Sequence, residues 1–167
     1  YRFLQVASFS QGSPINLNSI ASEIGVNSKV VENYFSILED LLIGSYLYSF
    51  TNRAKRRLIR KPKFYFFDCG IYKFARPTGY LDTDNEIEGI SLETLFLTHL
   101  KAINDYYELG YKFSYFETAT GTEVDFIAYG PKGFHAFEIK HSRNIINKHL
   151  RGLKSFAKDY PEAKLHI

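Results

Sequence analysis

The 167-residue chain has 21 Lys/Arg against 18 Asp/Glu, a formal charge of +3, 45% hydrophobic and 23% charged residues, and a single cysteine. This balance excludes a disordered tract, a collagen and a coiled coil. Cys69 alone builds neither an internal disulfide nor a cysteine zinc site, and no apolar run approaches the roughly 18 residues that span a bilayer, so the expectation is a soluble, cytoplasmic protein with no membrane partner.

Taken in chain order, Asn16 or Asn18 can cap a first helix with Leu17, Ile20, Ala21 and Ile24 on one face, and Gly25-Val26-Asn27 breaks it. A second helix is expected from Ser28, with Glu32 as capping partner and Val30, Val31, Tyr34, Phe35, Leu38, Leu41 and Leu42 buried, ending at Gly44. Small Ala21, turning Gly25 and apolar Val31 have helix-turn-helix spacing. Two β-rich runs, Tyr46 to Phe50 and Lys63 to Phe67, then read as a hairpin with a long basic loop. The expectation for residues 1–77 is a winged helix.

Charge is unevenly spread: nine Lys/Arg stand against four Asp/Glu through Lys63, and twelve against fourteen beyond it. Arg53, Lys55, Arg56, Arg57, Arg60, Lys61 and Lys63 form a basic wing suited to neutralising DNA phosphates, or to docking on another part of a longer chain. The presumed second helix argues against DNA at its own face, because it exposes Glu32, Glu39 and Asp40. A turn-rich stretch with Asp82, Asp84, Glu86 and Glu88 reads as an acidic linker over residues 78–90.

Residues 91–167 are expected to form a mixed α/β core. Ser91 can cap a helix with Leu92, Leu95, Phe96, Leu100, Ile103 and Tyr107 as its stripe, and Glu93, about 100° round from Leu92, sits at the stripe's edge. A strand Phe113–Glu117 follows, then two β runs joined by Gly130-Pro-Lys-Gly133. A symmetrical turn sets Asp125 opposite Glu138 and Glu123 opposite Lys140 on one side, with Val124, Phe126 and Ala128 on the other against Ile139, Phe137 and His135. Facing carboxylates repel and call for a compensating cation, which Mg²⁺ held by Asp125 and Glu138 would supply, with Lys140 beside it. The competing expectation is an ordinary Glu123–Lys140 surface ion pair with Asp125 relaxed into a bulge. A last helix over Asn144–Lys158 buries Ile146, Leu150, Leu153 and Ala157 and shows a basic stripe of Arg151, Lys154 and Lys158. The strand–helix–strand order implies a right-handed crossover.

Glu93, Asp125 and Glu138-Ile-Lys140 together resemble the PD-(D/E)XK nuclease superfamily, with Val124 where its proline would stand. The chain is closer still to the unknown-function domain that follows the ATPase domain in archaeal and bacterial AAA-type ATPases, through Lys63-Phe-Tyr-Phe-Phe-Asp-Cys-Gly-Ile71, Gly89-Ile-Ser-Leu-Glu93, Gly121-Thr-Glu-Val-Asp-Phe126 and Phe137-Glu-Ile-Lys140. The resemblance implies a winged helix followed by a restriction-endonuclease-like core, truncated at its C-terminus. It implies Asp125 and Glu138 as Mg²⁺ ligands, Lys140 and Glu93 as catalytic residues, and an own N-terminal ATPase domain as partner. The beginning at Tyr1 and the ending at Lys164-Leu-His-Ile167 likewise suggest a fragment. No Walker motif occurs in these residues, so ATP would belong only to that preceding domain. The expected function is thus a DNA-binding, Mg²⁺-dependent phosphodiesterase module, the alternative a catalytically inactive regulatory module docked on the ATPase.

Overall fold

The computed structural model describes residues 1–51, 60–79 and 83–167, which form a mixed α/β structure of six α-helices and two sheets among the described residues. These group into two compact units, the first made of Tyr1–Leu47 and Arg60–Leu95, the second of residues 48–51 and Phe96–Ile167.

In the first unit, α1 (Arg2–Phe9) precedes α2 (Leu17–Ile24) and α3 (Ser28–Asp40). Asn16 caps α2 by accepting from Ser19 N–H, and Gly25, at φ 75°, closes it in the left-handed region that favours glycine. The cap of α3 is Asn27, accepting from Val30 N–H at 2.9 Å, rather than a Ser28–Glu32 pairing. Val31, Phe35 and Leu38 of α3 are buried with Ile20, Ala21, Phe64, Phe66 and Tyr72 in one core. Leu41 and Leu42, expected inside, are 62% and 79% exposed, because α3 ends at Asp40 and they no longer follow its period.

The two-stranded sheet pairs β1 (Gly44–Leu47) with β2 (Lys63–Phe66) antiparallel, Gly44 opposite Phe66 and Leu47 opposite Lys63. Gly44 opens the strand instead of ending the helix; a Cβ there would fall on the Phe64 ring. The expected run from Tyr46 to Phe50 is divided: Ser49 bridges Tyr115 in parallel, and Phe50 N–H donates to Tyr115 O at 2.6 Å, both within the second unit. Short α4 (Cys69–Ala75) is capped by Asp68. α5 (Asp84–Tyr106) starts seven residues before Ser91, so the acidic stretch expected to be linker is helical from Asp84. Ser91 does not cap it; its hydroxyl donates to Ile87 O within the helix.

The second unit is built on a four-stranded sheet of order β3 (Lys112–Glu117), β4 (Glu123–Gly130), β5 (Gly133–Phe137) and β6 (Lys164–His166). β3 to β5 are antiparallel in succession, and β6 returns parallel to β5 after α6 (Arg151–Asp159), the crossover that the strand–helix–strand order implied. The β4–β5 register is the one that the symmetrical turn predicts, from Gly130 opposite Gly133 to Phe126 opposite Phe137.

The faces differ in one respect. Ser114 pairs Ile127 and Phe116 pairs Val124, so two residues of β4, Asp125 and Phe126, lie against Tyr115 alone, a β-bulge. The extra residue reverses the alternation. Val124 therefore joins Ile127, Phe134 and Ala136 in the core beneath Leu153 and Phe156 of α6, instead of lying with Phe126. Phe126 and Phe137 pack on Phe96, at ring-centroid distances of 5.7 and 5.2 Å. The last helix is shorter than its apolar pattern suggested: Asn147–Leu150 is a 3₁₀ turn, and Ile146 is 53% exposed.

Candidate functional site

The bulge and the end of β5 bring Asp125, Glu138 and Lys140 together. Asp125 is nearly buried, and its Oδ2 accepts from Ile139 N–H at 2.7 Å. Glu138 follows β5, where its own N–H donates to His166 O at 3.0 Å and carries the parallel ladder one step further. Lys140 Nζ lies 2.7 Å from Glu138 Oε1 and 3.6 Å from Asp125 Oδ2, so one ammonium serves two carboxylates. The bulge that the simpler surface-pair expectation invoked is present, but it does not release Asp125 to solvent; it turns the carboxylate toward the chain after β5.

Two carboxylates against one ammonium leave the cluster short of positive charge. Burial, and next the Asp125 carboxylate, push the Glu138 carboxyl up to about 7 against the pull of Lys140, and Glu123 adds to the rise. Its Oε2 is buried and has no hydrogen-bond partner among the described residues. Because the folded group holds its proton to higher pH than the unfolded one, this site favours folding most below pH 4.5 and loses that contribution as pH rises through about 7. Chemical denaturation of wild type and Glu138→Gln across pH 4 to 8 should show the difference between them changing by up to about 3 kcal/mol, with wild type relatively weaker at the alkaline end. Parallel curves would remove the electrostatic cost from Glu138.

Gly152, which the sequence did not single out, completes the site. At the start of α6 it lies against β4 so closely that a Cβ would fall on the Glu123 carbonyl oxygen and stand 3.3 Å from Glu138 Oε2. The available signal was a glycine inside an otherwise amphipathic helix. Arg151, Lys154 and Lys158 project as an exposed basic stripe from the same helix, with exposed Arg143 and Lys148 before it.

Glu93 belongs to the first unit, where the hydroxyl of buried Tyr65 donates to its Oε2 at 3.3 Å. Of the basic wing, Arg53, Lys55, Arg56 and Arg57 lie outside the described residues. Lys61 is exposed and Arg60 half-buried, but Lys63 is only 2% exposed as the first residue of β2, so it leaves the set of surface contacts. Burial of both neighbouring strand positions, Leu47 across from it and Phe64 beside it, is what takes it inside.

For a hard divalent cation, Asp125 and Glu138 are suitable donors, and the unpartnered Glu138 Oε2 is the atom such an ion would satisfy. Among the described residues no group of three or more His, Cys, Asp or Glu is placed to hold a metal. No helix among the described residues is long and apolar enough to cross a membrane.

Residues 1–82 match the domain of unknown function DUF8612, and residues 88–167 match the domain of unknown function DUF4143. The latter is commonly found in AAA-ATPase-containing proteins. No curated protein and no solved structure matches the chain.

Proposed function

We propose that the second unit is a PD-(D/E)XK nuclease-like module that hydrolyses phosphodiesters with Mg²⁺, and that the first is a winged helix whose basic wing holds DNA. The observation that carries this proposal is the convergence of Asp125, Glu138 and Lys140, with a buried carboxylate oxygen that has no partner among the described residues. The mixed sheet, with its β5–α6–β6 crossover, supports the same reading.

Asp125 and Glu138 would hold the ion, which when bound supplies a Lewis acid and lowers the pKa of water. Ile139 N–H fixes the Asp125 carboxylate, leaving its other oxygen to bind. Lys140, with about 29% of its side chain exposed, can turn its ammonium from Glu138 to a phosphoryl oxygen and stabilise the charge that develops there. The exposed stripe of Arg151, Lys154 and Lys158 is suited to the flanking phosphates. The supporting role of Glu93 rests on the resemblance alone. A AAA-type ATPase as neighbouring domain is supported by the DUF4143 match.

One observation favours a regulatory module instead. The exposed side of α3 carries Tyr34 and Ile37 beside Glu32 and Asp40, a face suited to a protein and not to phosphate. Thermal melting with Mg²⁺ or Mn²⁺ separates the two: the nuclease assignment expects stabilisation that Asp125→Ala removes, together with cleavage of plasmid or branched DNA that Lys140→Ala abolishes. A melting curve indifferent to both ions leaves the docking module.

A further inference from the structure

A pair of histidines bridges β5 and β6. His135 on β5 and His166 on β6 are diagonal neighbours across the parallel ladder, in which His135 faces Lys164 and Phe137 faces His166. His135 Nδ1 lies 3.1 Å from His166 Nε2. Two imidazole nitrogens on a tetrahedral Zn²⁺, with Zn–N of about 2.0–2.1 Å, stand roughly 3.3 Å apart, so the pair already has nearly the bite that such an ion requires. The rings are 27° from parallel, and Phe137 stacks on His166 at 4.7 Å and 18°, which limits the freedom of the second imidazole. On the far side of His135, Nε2 is 3.4 Å from the Tyr111 hydroxyl. A partner there of the kind that orients metal-bound histidines leaves Nδ1 as the ligating atom.

We propose that His135 Nδ1 and His166 Nε2 form a bidentate site for a borderline transition-metal ion of the Zn²⁺ class, which clips the edge strand β6 to β5. Coordination replaces the hydrogen bond between the two nitrogens. The proton now shared there moves to the remaining nitrogen of the same ring, and the other positions of the ion are filled by water. Lys164, across from His135, is exposed and can keep its charge in solvent. Imidazole ligands select Zn²⁺, Ni²⁺ or Cu²⁺ over Mg²⁺, so this site differs from the carboxylates in chemistry as well as in residues.

Calorimetric titration of the protein with Zn²⁺ at pH 7.5, in excess Mg²⁺ so that the carboxylates are already occupied, tests it. The expected result is one saturable site per chain, weakened at least tenfold in both His166→Gln and His135→Gln, and unchanged in Asp125→Asn and in a His141→Gln/His149→Gln double variant. His166 is at the exposed edge, so its replacement leaves the fold intact, and a circular dichroism spectrum identical to wild type verifies that. Undiminished binding in His166→Gln, loss in Asp125→Asn, or no saturable binding at all would each overturn the proposal.

Discussion

Replacing Lys140 with methionine is expected to lower stability by about 3 kcal/mol at pH 8, the lower end of what is lost when one partner of a buried ion pair is removed. The reason is the charge count. Asp125 and Glu138 are each about 8% exposed, and the Lys140 ammonium, 2.7 Å from one and 3.6 Å from the other, compensates both. Without it, two carboxylates face each other in a poorly hydrated place. The loss should shrink as pH falls below about 7, where Glu138 takes up its proton, and should be partly reversed in Lys140→Met/Glu138→Gln, since only one charge then remains. Urea unfolding of the four variants at pH 5 and pH 8 measures the coupling. A penalty equal at both values would mean that Lys140 contributes through packing of its stem and not through charge.

The second large effect concerns a residue with no charge. Gly152→Ala would ordinarily raise helix stability by up to about 1 kcal/mol. Here a Cβ meets the backbone carbonyl of Glu123, which cannot rotate away as a side chain can, and α6 must lift from β4. Leu153 and Phe156 would then separate from Val124, Ile127 and Phe134. Overpacking of this kind costs about 1–3 kcal/mol, and the upper value is expected because the clash is with backbone. Gly89→Ala in α5 is the control: no atom of the described residues outside its own helix backbone lies within 4 Å of its added Cβ, so that variant should gain a few tenths to about 1 kcal/mol. Thermal melting of the two variants should therefore move in opposite directions. A gain in both would show that α6 does not depend on close contact at residue 152.

Much of the second unit could be read from the residues themselves. The alternating pattern on either side of Gly130-Pro131-Lys132-Gly133 was enough to set the β4–β5 register, because a one-residue slip would exchange every buried and exposed side chain. That register alone places Asp125 near Glu138. The cap of α3 was less legible. Asn27 reads equally as a helix breaker and as a helix starter, and its hydrogen bond to Val30 N–H is what decides between them.

What was not legible depends on partners distant in sequence. The bulge at Asp125–Phe126, which the residues offered only as one alternative, is fixed by pairing with Tyr115 on β3, and it decides that Val124 joins the α6 core and that Asp125 meets Ile139 N–H. Lys63 looks like part of a basic run, and only its place in β2 against Leu47 takes it inside. Gly152 is an unremarkable helical glycine until Glu123 stands against it. The sequence by itself determined α2, α3, the hairpin register and the identity of the carboxylates and lysine, because these follow from local periodicity and turn chemistry. Tertiary structure alone decided that Lys140 bridges both acids, that Glu138 is buried enough to hold its proton toward neutral pH, and that His135 meets His166, because burial and charge coupling are set by neighbours that the chain brings together only on folding.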